Sequence, residues 1–134
     1  NHYRIKIVTM QTKILNILSI IFALLLINGG LDKFFHYMPI PPDLPEALIK
    51  DTEAIMEIAW LLPLVGLTEL ISGLLVIFKR TRALGILVNI PVMTGVLLTH
   101  ITVAPSGLPI ALVIWAIILW NIWENRSKYL SLIK

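Results

Sequence analysis

Four long apolar segments follow one another along the chain, separated by polar stretches. Each approaches the roughly 20 mainly apolar residues that a helix needs to cross a hydrocarbon core of about 30 Å. The predicted spans cover residues 14–35, 54–78, 83–104 and 107–123. The pattern therefore predicts an all-α fold, an antiparallel bundle of four transmembrane helices.

The connections between these segments are short, except for the outer loop 36–53. Within that loop, the stretch DLPEALIKD predicts a short interfacial helix with Pro45 near its first turn. Pro63 and Pro91 lie inside predicted spans, and a proline in a helix interior removes a backbone hydrogen bond. We expect kinks at both positions.

The composition supports a membrane protein. Hydrophobic residues make up 57% of the chain and charged residues 14%, and the mean hydropathy is +0.87, whereas soluble domains carry roughly 25% charged residues. The chain has no cysteine, which excludes disulfides, thiol redox catalysis and cysteine-ligated metal centres.

The distribution of charge predicts the orientation of the spans. Nine of the eleven basic residues fall on one side of the predicted membrane, and short cytoplasmic loops collect Lys and Arg. We therefore expect both termini to be cytoplasmic, in a bacterial inner membrane. The basic KRTR turn at residues 79–82 could bind anionic lipid, although topology alone is enough to explain it. Topology likewise explains the net positive charge without nucleic acid.

The start of the chain divides into two parts. Met10 opens a stretch, MQTKILNILS, that reads naturally as a start followed by a membrane segment. We expect residues 1–9 to be an N-terminal extension or a cloning remnant, and residues 10–134 to form the membrane domain.

Glu69 is the most unusual residue of the apolar segments. It lies in GLTELISGLLVIFKR, about 15 Å from the basic end at Lys79 by the helical rise. A carboxyl group at this depth is a functional candidate by default and should face the bundle interior. Gly66 and Gly73 share its helix face, so they should let another backbone approach.

The rise per residue along the next span places Asn89 and Thr94 on either side of the depth of Glu69, so both are candidate partners of its carboxyl group. Two interpretations stay open. A neutral Glu69 hydrogen-bonded to Asn89, to Thr94 or to a carbonyl freed by Pro91 would hold helices together. Alternatively, Glu69 binds a ligand such as a quinone, or exchanges protons.

A second group of polar residues is expected at the outer mouth of the bundle. These residues could receive an anion, a quinone headgroup or a partner, or they could only anchor the loops at the interface. The group comprises Asn28, Asp32, Lys33, His36, Glu57 and His100.

Metal binding and catalysis find little support in the sequence. The histidines are far apart along the chain, and His2 falls on the side opposite to the other two. No nucleophile, zinc, dinucleotide or phosphate-binding motif is present. We therefore expect no metal site, no catalytic residues and no autonomous enzymatic activity.

Several segments together resemble the DoxX-like family of small four-helix membrane proteins, over residues 12 to 125. They are NGGLDKFF at the end of the first span, the GLTELISGLLVIFKR helix, the basic turn after it and HITVAPSGLPIALVIW. The resemblance places Gly30, Lys33, Glu69 and Gly73 at the family's Gly, Lys, Glu and Gly positions. With Gly66, the glycines are expected to pack helices.

The resemblance implies an accessory or anchoring subunit of a membrane oxidoreductase or respiratory-type complex. It implies no intrinsic cofactor, although contact with quinone or bound lipid is expected, and it implies a membrane-protein partner or a homo-oligomer. The absence of cysteine argues against the thiol-disulfide role of some distant relatives. Two alternatives remain open: a stand-alone carrier of a small solute or protons, and a purely structural assembly protein.

Overall fold

The computed structural model describes all 134 residues, and its regular structure is entirely helical, which confirms the predicted all-α class. A 3-10 turn, Pro105–Gly107, precedes the fifth helix. The helices are α1 His2–Phe35, α2 Glu46–Glu57, α3 Leu61–Ile77, α4 Arg82–Thr102, α5 Leu108–Glu124 and α6 Arg126–Leu130.

Three helices are long and apolar enough to cross a membrane: α1, α4, and α5 together with its preceding turn. The bent pair formed by α2 and α3 would add a fourth if it is counted as one span. Many large apolar side chains are exposed, among them Leu64, Leu67, Ile71 and Leu74 on α3. Such a surface suits lipid rather than water, because exposed apolar area in water is unfavourable.

The second predicted span, 54–78, is wrong at its beginning. Residues 54–57 belong to α2, which meets α3 at 94° across a break at residues 58–60. Ile58 has extended backbone there, with ψ at 98°. The short helix predicted after Pro45 is therefore present, but it extends to Glu57. The first four residues of the predicted span, 54–57, belong to this helix.

The kink predicted at Pro63 is also wrong. Pro63 lies in the first turn of α3, where a helical N–H has no partner within the helix and its loss costs little. The change of direction occurs before α3 begins. Pro91, in contrast, lies inside α4.

Helix α1 starts well before its predicted span. It begins at His2, and the side chain of Asn1 accepts a hydrogen bond from the N–H of Tyr3 at 2.9 Å. Residues 2–9 are therefore a continuous part of α1, exposed to the surroundings.

Helices α1 and α3 approach each other through glycines. A Cβ on Gly30 would lie 2.7 Å from the carbonyl oxygen of Gly66, and a Cβ on Gly73 would lie 2.9 Å from the carbonyl oxygen of Ala23. Neither distance leaves room for a side chain, so two backbones are in direct contact. Small residues at helix interfaces allow this approach in membrane bundles.

The remaining contacts close the helices into a ring in which α3 packs on α4, α4 on α5, and α5 on α1. Two polar contacts reinforce the apolar core. Asn121 donates to the hydroxyl of Ser19 at 3.0 Å, and the indole of Trp115 donates to the carbonyl of Met93 at 3.0 Å. The core residues are Phe22, Ala23, Leu26, Val76, Ile86, Met93 and Ile118.

We predict that Gly30→Ala destabilises the protein. Alanine is intrinsically better in a helix by about 1 kcal/mol, but overpacking typically costs about 1–3 kcal/mol. Two of the three close atoms, Gly66 O and Leu70 N, belong to the backbone and cannot move aside easily. Thermal unfolding in detergent, followed by circular dichroism, should show a lower midpoint. Gly95→Ala is the matched control, since a Cβ there meets nothing within 4 Å. Equal midpoints for the two variants would contradict the close contact.

Tyr129 should make stability depend on alkaline pH. Its hydroxyl donates to the carbonyl of Ala83 at 2.7 Å, and burial raises its pKa above the ordinary value of 10.0. The contribution is therefore complete below the unfolded-state pKa and is lost as pH rises through the higher folded-state pKa. We predict that Tyr129→Phe loses about 1 kcal/mol at pH 8 and that its difference from the wild type shrinks above pH 10. Unfolding midpoints at both pH values test this, and a constant difference would refute it.

Candidate functional site

The end of α1 is fixed by local polar contacts. His36 adopts the left-handed conformation, with φ at 50°, and its N–H bonds to the carbonyl of Asp32 at 2.7 Å. The Asp32 carboxylate then accepts from the N–H of Met38 at 2.7 Å. The Tyr37 hydroxyl bonds to Asn28. These contacts reverse the chain directly after the turn that carries Lys33.

Lys33 and Glu69 form the central contact of the site. The ammonium Nζ lies 2.5 Å from the carboxylate Oε1, and the side chains are only 27% and 11% exposed, respectively. Glu69 is the middle residue of α3, eight residues from either end. Lys33 lies in the last turn of α1, where a cation is favoured by the helix dipole.

Glycines make room for this ion pair. The second carboxylate oxygen of Glu69, Oε2, lies 2.8 Å from where a Cβ on Gly29 would be, and Lys33 Cβ lies 3.0 Å from where a Cβ on Gly66 would be. A side chain at Gly29 would displace the carboxylate. The pair thus depends on the same close approach of α1 and α3 that holds the fold together.

A cavity of about 570 Å³ borders the ion pair, within the size range of small-molecule sites. Lys33 and Glu69 supply charge, and Thr99 and His100 supply further polar groups. Helix α2 contributes apolar side chains on another side. The apolar lining consists of Leu48, Ile55, Val65, Pro91, Val92 and Val96, together with Gly95.

The cavity opens sideways along α4. Pro91 and Gly95 are exposed and also line it. This opening lies on the exposed apolar surface of the helices, so an amphipathic molecule could reach the cavity from that surface.

His100 is held by backbone groups at the outer end of α4. Its Nδ1 lies 3.1 Å from the carbonyl oxygen of Ala104, and because a carbonyl only accepts, Nδ1 is the donor. The ring also packs against Gly107, where a Cβ would clash with it. In the neutral ring, this arrangement leaves Nε2 as an acceptor.

The partners predicted for Glu69 are not the ones it has. Thr94 is exposed and donates to the carbonyl of Ile90 at 2.8 Å. Asn89 is only 1% exposed, and neither of its amide atoms has a hydrogen-bond partner. The prediction compared depths along α4 alone. The actual partner lies on α1, from which the long side chain of Lys33 reaches Glu69.

The six residues of the expected outer mouth do not form one cluster. Lys33 and His100 line the cavity, whereas Asn28 and Asp32 hold the chain reversal after α1. His36 and Glu57 are exposed and line none of the cavities described here. The structure brings Lys33 and His100 together with Glu69.

Sequence reasoning missed the role of Gly29. The signal was visible in the paired glycines of NGG, but only the neighbouring Gly30 was considered a packing residue. Because Gly29 matters through a residue 40 positions later, nothing local to the sequence distinguishes it from a flexible position.

The ion pair gives the cavity both a donor and an acceptor. A Lys ammonium donates up to three hydrogen bonds, and a carboxylate accepts. In a site of low dielectric such charged groups bind polar atoms more strongly than in water. The cavity therefore fits a mostly apolar ligand with a small polar head.

Comparison of the chain with protein-family models, with curated proteins and with solved structures gave no match. The resemblance to the DoxX-like family therefore stays a prediction that rests on the sequence motifs.

We predict that Lys33 and Glu69 are coupled in stability. Removing one partner of a fully buried pair costs about 3–5 kcal/mol, because a charge remains buried without compensation. Lys33 is partly exposed, so Lys33→Met and Glu69→Met should each cost about 1–3 kcal/mol. The double variant should be more stable than the sum of the single effects implies.

Denaturant unfolding of the four proteins in one detergent measures this coupling. The Glu46 and Lys50 pair on α2 is exposed, with its charges 3.9 Å apart, and serves as a control cycle with a coupling near zero. Additive effects at Lys33 and Glu69 would show that the two charges do not interact in the folded protein.

Proposed function

We propose that this chain is a DoxX-like accessory subunit of a membrane oxidoreductase and that its cavity holds the headgroup of a quinone. The observation that carries the proposal is the Lys33–Glu69 ion pair beside an otherwise mostly apolar cavity of about 570 Å³. The proposed setting is an antiparallel four-helix bundle in a bacterial inner membrane, with both termini cytoplasmic.

Quinone chemistry matches the donor and acceptor of the cavity. A quinone headgroup has carbonyl oxygens, which accept hydrogen bonds, and Lys33 is a donor. The reduced quinol has hydroxyl groups, which donate, and Glu69 is an acceptor. Both redox forms therefore find a charged partner, and charge-assisted hydrogen bonds are the stronger ones.

The orientation rests on the two ends of the helices. One end carries Lys79, Arg80 and Arg82, together with the basic residues of α6. The other end carries α2 and its acidic residues. The positive-inside rule favours the basic end as cytoplasmic, which places the quinone cavity toward the outer half of the membrane.

The alternative of a solute or proton carrier has less support. A carrier must connect its site to both sides in turn. Phe22, Leu26, Val76 and Ile86 are at most 4% exposed, and they form an apolar core between the cavity and the basic end. Four helices without an internal repeat also lack the architecture of most transporters.

Direct binding of a short-chain ubiquinone tests the cavity. We predict that Gly95→Leu reduces affinity at least about tenfold, which corresponds to 1.4 kcal/mol, because the new side chain occupies space that is now empty. Glu69→Gln should weaken quinol binding more than quinone binding, since the amide loses the charge. Equilibrium dialysis with protein in nanodiscs measures both.

Thr94→Leu is the matched control, because Thr94 is the exposed neighbour of Gly95 and does not line the cavity. It should bind quinone as the wild type does. If the wild type binds no quinone, or if both leucine variants bind equally well, the quinone proposal is wrong.

The accessory role has a separate test. Gentle extraction from native membranes followed by mass spectrometry of the intact assembly should show the chain in fixed stoichiometry with a protein that carries a haem, flavin or iron–sulfur group. Recovery of the chain alone, or bound only to itself, would contradict the accessory role and favour the carrier.

A further inference from the structure

A second, polar pocket lies at the opposite end of the bundle from the quinone cavity. We call it the basic pocket; its volume is about 250 Å³. It lies about 25 Å from the cavity, judged from the rise between Asn16 and Lys33 along α1. Its chemically relevant residues are Asn16, Lys79, Arg82, Glu124, Asn125 and Lys128.

The basic pocket has an excess of positive charge. Three cations line it against the single carboxylate of Glu124. Neither Lys79 nor Lys128 forms an ion pair, because the two ion pairs of the structure involve Lys33 and Lys50. Two ammonium groups are therefore free to bind an anion.

Arg82 gives the pocket a fixed cation. It is 6% exposed, and its guanidinium donates to the carbonyls of Val76 at 2.8 Å and Ile77 at 3.2 Å, the last turn of α3. These bonds use Nε and Nη2, so the other nitrogen stays free. Arginine held in this way is suited to phosphate oxygens.

Asn16 adds an unsatisfied group to the same pocket. Its Oδ1 is buried and has no hydrogen-bond partner. A buried acceptor without a donor costs about 1–3 kcal/mol, so a ligand that donates a hydrogen bond here would be favoured. A hydroxyl group on the ligand supplies such a donor.

Apolar grooves adjoin the basic pocket. Lys128 also borders a groove of about 220 Å³ lined by Leu84, Leu87 and Leu132. That groove shares Leu87 and Tyr129 with a second one of about 170 Å³, which is lined entirely by hydrophobic side chains. Polar and apolar sites thus follow one another along α4, as the head and chain of a lipid do.

We propose that the basic pocket binds the headgroup of an anionic phospholipid that carries hydroxyl groups, of the phosphatidylglycerol type. The phosphate lies among Lys79, Arg82 and Lys128, and a headgroup hydroxyl donates to Asn16. One acyl chain follows the grooves on α4. Basic pockets between membrane helices are known to hold anionic headgroups, and this site is independent of the quinone cavity.

Native mass spectrometry of the full-length protein in detergent tests the proposal, with phosphatidylglycerol, phosphatidic acid and phosphatidylcholine as probes. We expect one phosphatidylglycerol molecule to be retained about tenfold more tightly than phosphatidylcholine. The double variant Lys79→Gln/Lys128→Gln should reduce this preference about tenfold. Lys6→Gln/Lys13→Gln removes the same charge from exposed positions outside the pocket and should leave the preference unchanged.

Other outcomes would overturn the proposal or one of its parts. Equal losses in the two double variants would show that general surface charge attracts the lipid. Equal retention of phosphatidic acid, which lacks the headgroup hydroxyls, would refute the role of Asn16. Glycerophosphoglycerol is the same headgroup without acyl chains, and it should bind at least tenfold more weakly than the lipid. Equal binding would show that the grooves hold no acyl chain and that the pocket binds a soluble phosphate compound.

Discussion

The close backbone contact between α1 and α3 is the constraint on which the other features depend. Gly30 meets Gly66, and Gly73 meets Ala23, at distances that no side chain would permit. Because the helices are so close, the Lys33 side chain reaches Glu69 across the contact, and Gly29 leaves room for the carboxylate. In lipid, where apolar burial no longer drives helices together, this kind of packing supplies much of the association energy.

The same constraint explains why charge is tolerated so deep in an apolar fold. A lone carboxylate at the centre of a membrane helix is expensive, and a charge partner lowers that expense. Lys33 provides the partner while its helix ends only two residues later, at Phe35. Its aliphatic stem can therefore cover apolar surface while the ammonium group points into the structure. Lysines near helix ends usually direct this group outward, to the water at the interface.

Polar chemistry is concentrated in two separate places, around the ion pair and at the basic end of the bundle, with an apolar core between them. Beside the last turn of α1, the ion pair borders a mostly apolar cavity; at the basic end, three cations line a small pocket. The core between them is closed by Phe22, Val76 and Ile86. This division favours two separate binding sites over a continuous path through the protein.

The amino-acid sequence was sufficient for the features that depend on local composition. The apolar segments show that the chain is helical and suited to a membrane. Glu69 is conspicuous because it is the only acidic residue far from both ends of such a segment. The helix after Pro45 was also predictable, since its start signals are local. The bend before α3 was not, because a break at residues 58–60 inside an apolar run leaves no mark in composition.

Only the tertiary structure decided what Glu69 contacts. Its partner, Lys33, is 36 positions away. The rise per residue along α4 predicted Asn89 and Thr94 instead, because both lie at about the depth of Glu69. Thr94 turns outward, and Asn89 is buried without a partner. Helix rotation and the reach of a long side chain determine such pairings, and neither is encoded in residue spacing within one segment. The sequence by itself therefore determined which residues were exceptional, whereas the packing of α1 on α3 decided which of them form a site.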